Sequence, residues 1–302
     1  LTNNDQMIIS RSNEVKRLGI KMGESVHNIL PLIRQHNITM FSSNYELYGD
    51  MSARMVSIMR EYVRDIEVYS IDEAFLSLPG SKYKNLKEYG ITITNAVTLG
   101  TGLPVSMGIA PTKTLAKIAN RFAKKYPKYN NVCLIDTDDK RIKALKLTDI
   151  SDVWGVGHAS AEKLRKRGVT TAYDFTQLSQ KWVRKNLSVT GERTYKELQG
   201  TACIELELLP PDKQQICTSR IFGKPVNDFG LLGESLATYA SICCERLRKQ
   251  RCCAASIMVF TCVRSGIYGQ DWHEVAPTSA ITLPTPTNST LDIVRGATEA
   301  VR

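Results

Sequence analysis

Long apolar runs are absent from this 302-residue chain, and no stretch approaches the roughly 18 residues that a membrane-spanning helix needs. No secretory signal opens it. Both observations argue against a membrane partner and lead us to expect a cytoplasmic location. Histidine is scarce: His27, His36, His158 and His273 are scattered without ligand spacing, which speaks against a histidine-based metal site. The eight cysteines are too sparse for a disulfide scaffold in a chain this long, and the doublets Cys243-Cys244 and Cys252-Cys253 lack the C-x-x-C spacing of zinc sites. They read as reduced, buried thiols. Acid is also in short supply, since 30 Asp and Glu face 40 Lys and Arg, a formal charge of +10. That imbalance favours a polyanionic partner, nucleic acid first. The length is sufficient for two to four domains with substantial cores.

Against this background, two adjacent carboxylates stand out. Residues 69–78, Tyr-Ser-Ile-Asp-Glu-Ala-Phe-Leu-Ser-Leu, place Asp72 and Glu73 inside an apolar, strand-forming run. Neighbours on a flat strand point to opposite faces, so both acids reach one ligand only if the chain turns there. The expectation is a hairpin with strands near Ile66 to Ile71 and Ala74 to Leu78 and the acids at its tip. Converging carboxylates repel unless a cation neutralises them, and hard oxygen donors suit Mg²⁺. A surface hairpin with solvated acids is the alternative.

The basic charge is concentrated. Lys113, Lys117, Arg121, Lys124, Lys125 and Lys128 occur with no acid among them. Read as a helix after a strand Val105 to Ala110, the stretch has a cationic face and a core face of Leu115, Ile118, Ala119 and Phe122, with Pro111 tolerated in the first turn. An all-cationic stripe without i,i+4 acids repels itself, and phosphate would relieve it; a merely solvated face is the other reading. A second basic site follows Gly155-Val156-Gly157, where a turn between two short helical patterns suits a helix-hairpin-helix. Its amides and following helix N-terminus could hold a DNA phosphate without reading bases. Lys163, Arg165, Lys166 and Arg167 lie just beyond. A plain helical connection using glycine for positive φ is the alternative there.

The segments Phe41-Ser-Ser-Asn-Tyr-Glu-Leu-Tyr48, Tyr69-Ser-Ile-Asp-Glu-Ala-Phe75, Gly108-Ile-Ala-Pro-Thr-Lys-Thr-Leu-Ala-Lys117 and Val153-Trp-Gly-Val-Gly157 resemble the Y-family translesion DNA polymerases, specifically the UmuC-like bacterial branch. They occur in family order with matching spacing, and Thr218-Ser-Arg-Ile-Phe-Gly223 resembles the opening strand of that family's last domain. The resemblance implies an α/β (α+β) right-hand architecture truncated at both ends. Residues 1–44 would be partial fingers, and 45–135 a ferredoxin-like palm. Residues 136–212 would be a helical thumb with its helix-hairpin-helix, ending in a Pro210-Pro211-Asp212 linker. Residues 213–302 would be a partial little finger of β-α-β-β-α-β type. Local pattern adds a capping box at Ser43-Asn-Tyr-Glu46 opening a helix with an apolar stripe Leu47, Met51, Met55, Ile58 and Tyr62. In the last domain it adds a helix over Leu231 to Lys249, strands over Ala254 to Val263 and near Ala280 to Leu283, and a helix from Ser289.

The chain departs from the family pattern at its front. A family member opens with a palm strand carrying an aspartate and a steric gate against ribonucleotides, whereas here Leu1-Thr-Asn-Asn-Asp begins after that point. Asn3, Asn4 and Asp5 read as a turn, so Asp5 is no substitute. The third carboxylate is missing, and inactivity of the chain as it stands is expected, with a weakened palm. With that strand restored, the resemblance implies nucleotidyl transfer with two Mg²⁺ ions held through Asp72 and Glu73. Lys124 and Lys16 match positions gripping the triphosphate, and Ser10, Arg11 and Asn13 could face the nucleotide; Asn13 is tyrosine in many relatives outside the UmuC branch. Lys117, Gly155, Gly157, Lys163, Arg165 and Arg220 would meet DNA. Implied partners are primed template DNA and dNTP, with a sliding clamp and a UmuD-like regulatory subunit through regions outside these residues. A nonenzymatic DNA-binding module would need neither Asp72 nor Glu73. A nucleotide cyclase would carry a glycine-rich signature where this chain has Ser70-Ile-Asp-Glu-Ala74.

Overall fold

The structure is a computed structural model and describes residues 2–4, 6–78, 85–209, 211–222, 226–261, 263–265, 273–275 and 277–301. Leu1, Asp5, Pro210, Gly223 and Arg302, which enter the sequence reading, lie outside the described residues. The chain divides into two compact units, Leu1–Ser43 with Pro211–Arg302, and Asn44–Pro210. No helix among the described residues is long and apolar enough to cross a membrane.

In the first unit, β1 (Thr2–Asn4) and β2 (Met7–Ser10) form a tight antiparallel hairpin, followed by α1 (Asn13–Arg17) and α2 (Val26–Gln35). The short strand β3 (Phe41–Ser42) pairs in parallel with β1. Asn3 and Asn4 therefore belong to a strand and not to a turn, and Gln6, just before β2, has φ +64°. Ile8, Val15, Ile20, Ile29 and Ile33 form the core of this segment. The Ser12 side chain accepts the Val15 N–H and starts α1.

The second unit opens with α3 (Tyr45–Tyr62). Its cap is Asn44, one residue later than the expected Ser43: the Asn44 carboxamide accepts the Leu47 N–H at 3.1 Å. The buried stripe also differs from the expected one. Met55, Val56 and Met59 are buried, Ile58 and Tyr62 are partly so, and Leu47 is exposed. Next come β4 (Ile66–Val68) and β5 (Ala74–Leu76), an antiparallel pair, and α4 (Leu86–Thr101). Then β6 (Met107–Ile109) runs into α5 (Lys113–Lys125), and β7 (Val132–Leu134) pairs with β6 in parallel. Gly108 is where β6 meets α5: a Cβ there would collide with the Ala116 carbonyl oxygen and the Asn120 nitrogen. Helices α6 (Asp138–Lys146), α7 (His158–Arg165), α8 (Ala172–Thr176) and α9 (Gln180–Leu198) complete the unit, with α9 broken at Ser188, where φ is +62°.

Two cores flank the β6–β7 pair. Met55, Ile93, Val97, Ile109 and Val132 pack under α3 and α4. The expected core face of α5, Leu115, Ile118, Ala119 and Phe122, packs on the other side with Leu145, Ile150, Leu164, Phe175 and Leu198. Each fully buried Leu or Phe in that set contributes about 1.5–3 kcal/mol relative to exposure. This cluster runs from Leu115 to Leu198.

After residue 210 the first unit resumes with α10 (Phe229–Lys249), β8 (Ala254–Phe260), β9 (Val263–Ser265), β10 (His273–Val275), β11 (Thr278–Thr287) and α11 (Thr290–Glu299). Strands β8 and β11 pair antiparallel, as do β9 and β10. Ala240, Cys244, Ile293 and Ala297 are buried against Ile257 and Val259. Of the opening strand expected at residues 218–223, residues 218–222 are not in a strand and Gly223 lies outside the described residues. From α10, Arg246 donates to the Cys217 carbonyl at 3.0 Å and to the Thr218 hydroxyl at 3.4 Å.

Candidate active site

The acidic hairpin forms as its sequence requires. Ile66 pairs with Leu76, Glu67 with Phe75 and Val68 with Ala74, and the Tyr69 and Ser70 N–H groups both reach the Glu73 carbonyl at 3.0 Å. The turn so closed carries Asp72 and Glu73. The Ser70 hydroxyl donates to Asp72 Oδ1 at 2.7 Å, fixing that carboxylate on an exposed tip.

Three of the quoted segments converge on this tip. Tyr69 and Phe75 flank the acids, and Trp154, from the Val153–Gly157 segment, donates its indole N–H to the Tyr69 hydroxyl at 2.9 Å. The rings of Tyr69, Phe75 and Trp154 lie 5.6–5.8 Å apart, centroid to centroid. Lys117, from the helix α5 segment, places its ammonium 3.0 Å from Glu73 Oε2, and 4.4 Å, 5.5 Å and 5.7 Å from the ring centres of Tyr69, Trp154 and Phe75.

The cationic face of α5 is therefore not an unrelieved stripe. Lys113 pairs with Glu67, Lys117 with Glu73, and Arg121 with Asp152 at 2.5 Å. Acids from distant segments supply the relief that phosphate was expected to give. Lys124 remains exposed with no ion-pair partner among the described residues, while Lys125 and Lys128 lie over the Tyr126 ring.

Behind the tip the helix start is anchored twice. The Glu67 and Lys113 side chains are 8% and 9% exposed; Glu67 Oε2 also accepts the Glu207 N–H at 2.8 Å, and Lys113 donates to the Glu205 carbonyl at 2.9 Å. Glu197, wholly buried, accepts from the Thr114 N–H and hydroxyl and from the Cys203 and Ile204 N–H groups. Four donors on one carboxylate stabilise its charge inside the protein. Glu67, Glu197 and the ring trio were given no role from sequence, and Lys113 was expected on a phosphate-facing stripe, where it instead meets Glu67. Glu67 did leave a signal: a charge between Ile66 and Val68 in a strand implies a buried partner.

At the glycine turn, Gly155 has φ +87° and packs so closely on Thr194 that a Cβ would lie 2.6 Å from its hydroxyl. Gly157 has φ −76°, caps α7 and has open space beside it. Lys163 donates to the Asn186 carbonyl at 3.0 Å, and Arg165 to Asp149 at 2.7 Å and Ser151 at 3.2 Å. The Asp149 carboxyl sits below its ordinary value, chiefly through hydrogen bonds from the Ser151 hydroxyl and N–H, with Arg165 adding to them.

Ser10, Arg11, Asn13, Lys16 and Arg220 belong to the other unit. Ser10 ends β2, Arg11 donates to the Ile20 carbonyl at 3.2 Å, and Lys16 reaches the Asn13 carboxamide at 3.4 Å. Arg220 is exposed and donates to the Ser219 carbonyl at 2.9 Å.

The donor set at the tip is two carboxylates, hard oxygens of the kind Mg²⁺ prefers. Among the described residues no group of three or more His, Cys, Asp or Glu side chains assembles. Ser70 holds Asp72 Oδ1 and Lys117 holds Glu73 Oε2, so both donors are already engaged at the tip.

Residues 1–121 match the impB/mucB/samB family, and residues 213–302 match the C-terminal domain of the same family. The chain is 38% identical to Protein UmuC of Salmonella typhimurium over 303 residues, spanning all of this chain and 71% of that protein. It is 37% identical to Protein ImpB of Salmonella typhimurium with the same coverage. It is 31% identical over 172 residues to DNA polymerase IV of Saccharolobus solfataricus, 55% of this chain and 46% of that one. Its fold is similar to that of a Y-family DNA polymerase chimera of Dbh and Dpo4, with TM-score 0.71 and 19% identity over 96% of this chain and 79% of that one. A Dbh DNA polymerase insertion ternary complex gives TM-score 0.56 and 20% identity, covering 96% and 80%.

Proposed function

The chain belongs to the impB/mucB/samB family, and from that premise we propose that it is a DNA-directed DNA polymerase of the Y-family lineage, copying templates past damaged bases. The observation that carries the reading is the convergence of three separate segments on Asp72 and Glu73: the hairpin itself, Lys117 of α5, and Trp154.

In this reading residues 1–44 act as fingers, 45–135 as palm, 136–212 as thumb and 213–302 as little finger. Asp72 and Glu73 would hold Mg²⁺, and a pair of such ions would supply activation of a primer 3′-hydroxyl and neutralisation of charge on departing pyrophosphate. Ser70 orients the Asp72 carboxylate through its 2.7 Å hydrogen bond. The Tyr69–Phe75–Trp154 rings hold the hairpin against the glycine turn. Lys124 of the second unit contacts the triphosphate of the incoming dNTP; in the first unit Lys16, Ser10, Arg11 and Asn13 are the nucleotide-facing candidates. The amides around Gly155 and Gly157, with Lys163, Arg165 and Arg220, meet the phosphates of primed DNA without reading bases.

The test is Mg²⁺-dependent primer extension on undamaged and abasic templates. It compares the wild-type protein with its Asp72→Ala and Glu73→Gln variants. Extension by the wild type alone is expected. Primed-DNA binding without extension by the wild type would replace the polymerase reading with a nonenzymatic DNA-binding module.

A further inference from the structure

Lys117 has more holding it than an ion pair requires. Its ammonium lies among the rings of Tyr69, Trp154 and Phe75, with Glu73 Oε2 at 3.0 Å on the open side. The rings are fixed independently of the lysine, by the Trp154 to Tyr69 hydrogen bond and by mutual edge contacts with interplanar angles of 68° and 86° at Tyr69. A cation among aromatic faces is attracted to them whether or not a carboxylate is near. Its side chain keeps 20% of its surface and that of Glu73 keeps 37%, so the charge is partly shielded from water.

We propose that Lys117 is a positioning residue for Glu73 and the built-in competitor of the divalent cation: the rings keep its positive charge beside the acidic pair, and an incoming cation must take Glu73 from it. The inference rests on the reading of Asp72 and Glu73 as cation ligands. Its consequence is a threshold. The acidic pair alone binds a cation weakly, and the negative oxygens of a bound triphosphate tip the balance. Occupancy of the site is thereby tied to the presence of nucleotide.

Terbium(III), a hard oxygen-seeking probe, tests this by direct binding, with its emission sensitised by nearby Trp154 and Tyr69. Titrations would compare the 302-residue wild type with Lys117→Met, Lys117→Gln, Lys117→Arg, Asp72→Asn and Glu73→Gln, without DNA or nucleotide. Removing a like charge this close should tighten binding about three- to tenfold in both neutral variants. Lys117→Arg, which keeps the charge, should stay within about twofold of wild type, while Asp72→Asn and Glu73→Gln should weaken binding. The two neutral variants guard against one of them failing to fold. Binding that depends on Asp72 and Glu73 but is unchanged or weaker in both neutral variants would overturn the competitor role alone. Binding indifferent to Asp72 and Glu73 would overturn both that role and the cation site.

Discussion

Replacing either member of the Glu67–Lys113 pair by methionine strands the other charge in a place where each side chain keeps under a tenth of its surface. Breaking such a pair from one side costs about 3–5 kcal/mol, because the remaining charge is neither solvated nor compensated. The surroundings rank the two variants. In Glu67→Met, Lys113 retains the Glu205 carbonyl and the Phe75 ring at 4.8 Å, which places the loss near about 3 kcal/mol. In Lys113→Met, Glu67 retains only the Glu207 N–H, which places the loss near about 5 kcal/mol. The double variant buries no charge and leaves the Glu207 N–H without its acceptor, a cost of about 1–3 kcal/mol. The losses therefore fail to add, with a coupling of several kcal/mol. Urea unfolding followed by fluorescence of Trp154 and Trp182, both in the second unit, reads this out. With a slope of about 2 kcal/mol per molar, the single variants should lower the midpoint by about 1.5–2.5 M and the double variant by less than either. Single losses that sum to the loss of the double variant would refute the pair as a coupled unit.

Gly108→Ala should destabilise the second unit by about 1–3 kcal/mol, measured by thermal unfolding, because its Cβ meets backbone of α5 that cannot yield without moving the helix. Asp174 accepts from the Thr171 N–H and from the Thr170 N–H and hydroxyl; burial works to raise its carboxyl, but these hydrogen bonds outweigh it and hold it below the ordinary value. The folded value thus lies below the unfolded one of about 3.9, and the stabilisation is present above that pH and lost as pH falls through the folded value. Asp174→Asn should accordingly be less stable than wild type near pH 7, and the gap should close below about pH 4; a gap that persists to pH 2 would contradict the assignment. Lys163→Ala should weaken duplex binding evenly across sequences and reduce the slope of log affinity against log salt by about 0.9, read by fluorescence anisotropy at several salt concentrations.

What the sequence made legible was local. The hairpin followed from two apolar runs interrupted by a pair of acids, although its strands, Ile66–Val68 and Ala74–Leu76, end sooner than expected. The core face of α5 followed from helical spacing, and Leu115, Ile118, Ala119 and Phe122 are all buried. Helical spacing also put Lys113, Lys117 and Arg121 on one side, yet it says nothing about what lies opposite. Their partners Glu67, Glu73 and Asp152 come from strand β4, the hairpin tip and the turn before α7, 31 to 46 positions away in the chain. Packing decided those pairings, and no pattern within the helix encodes packing. The strand expected at residues 218–223 is a different case: its β-forming composition was real, but residues 218–222 pair with no strand among the described residues. The cap at Asn44 differs from Ser43 by one step, the usual margin where two capping residues adjoin.

The anchoring of the α5 start by Glu67 and Glu197 has a consequence for the order in which the chain can finish folding as it is made. Thr114 acquires its buried acceptor only after 83 further residues, and Glu67 its Glu207 N–H only after 140. At about 5–20 residues per second, that second wait is roughly 7–28 s of synthesis, during which a carboxylate destined for the interior stands beside water. The hairpin and its helix can assemble early, but they are sealed from behind only when the strip around Glu205 and Glu207 arrives, so the ribosome's pace sets when the acidic tip first becomes rigid.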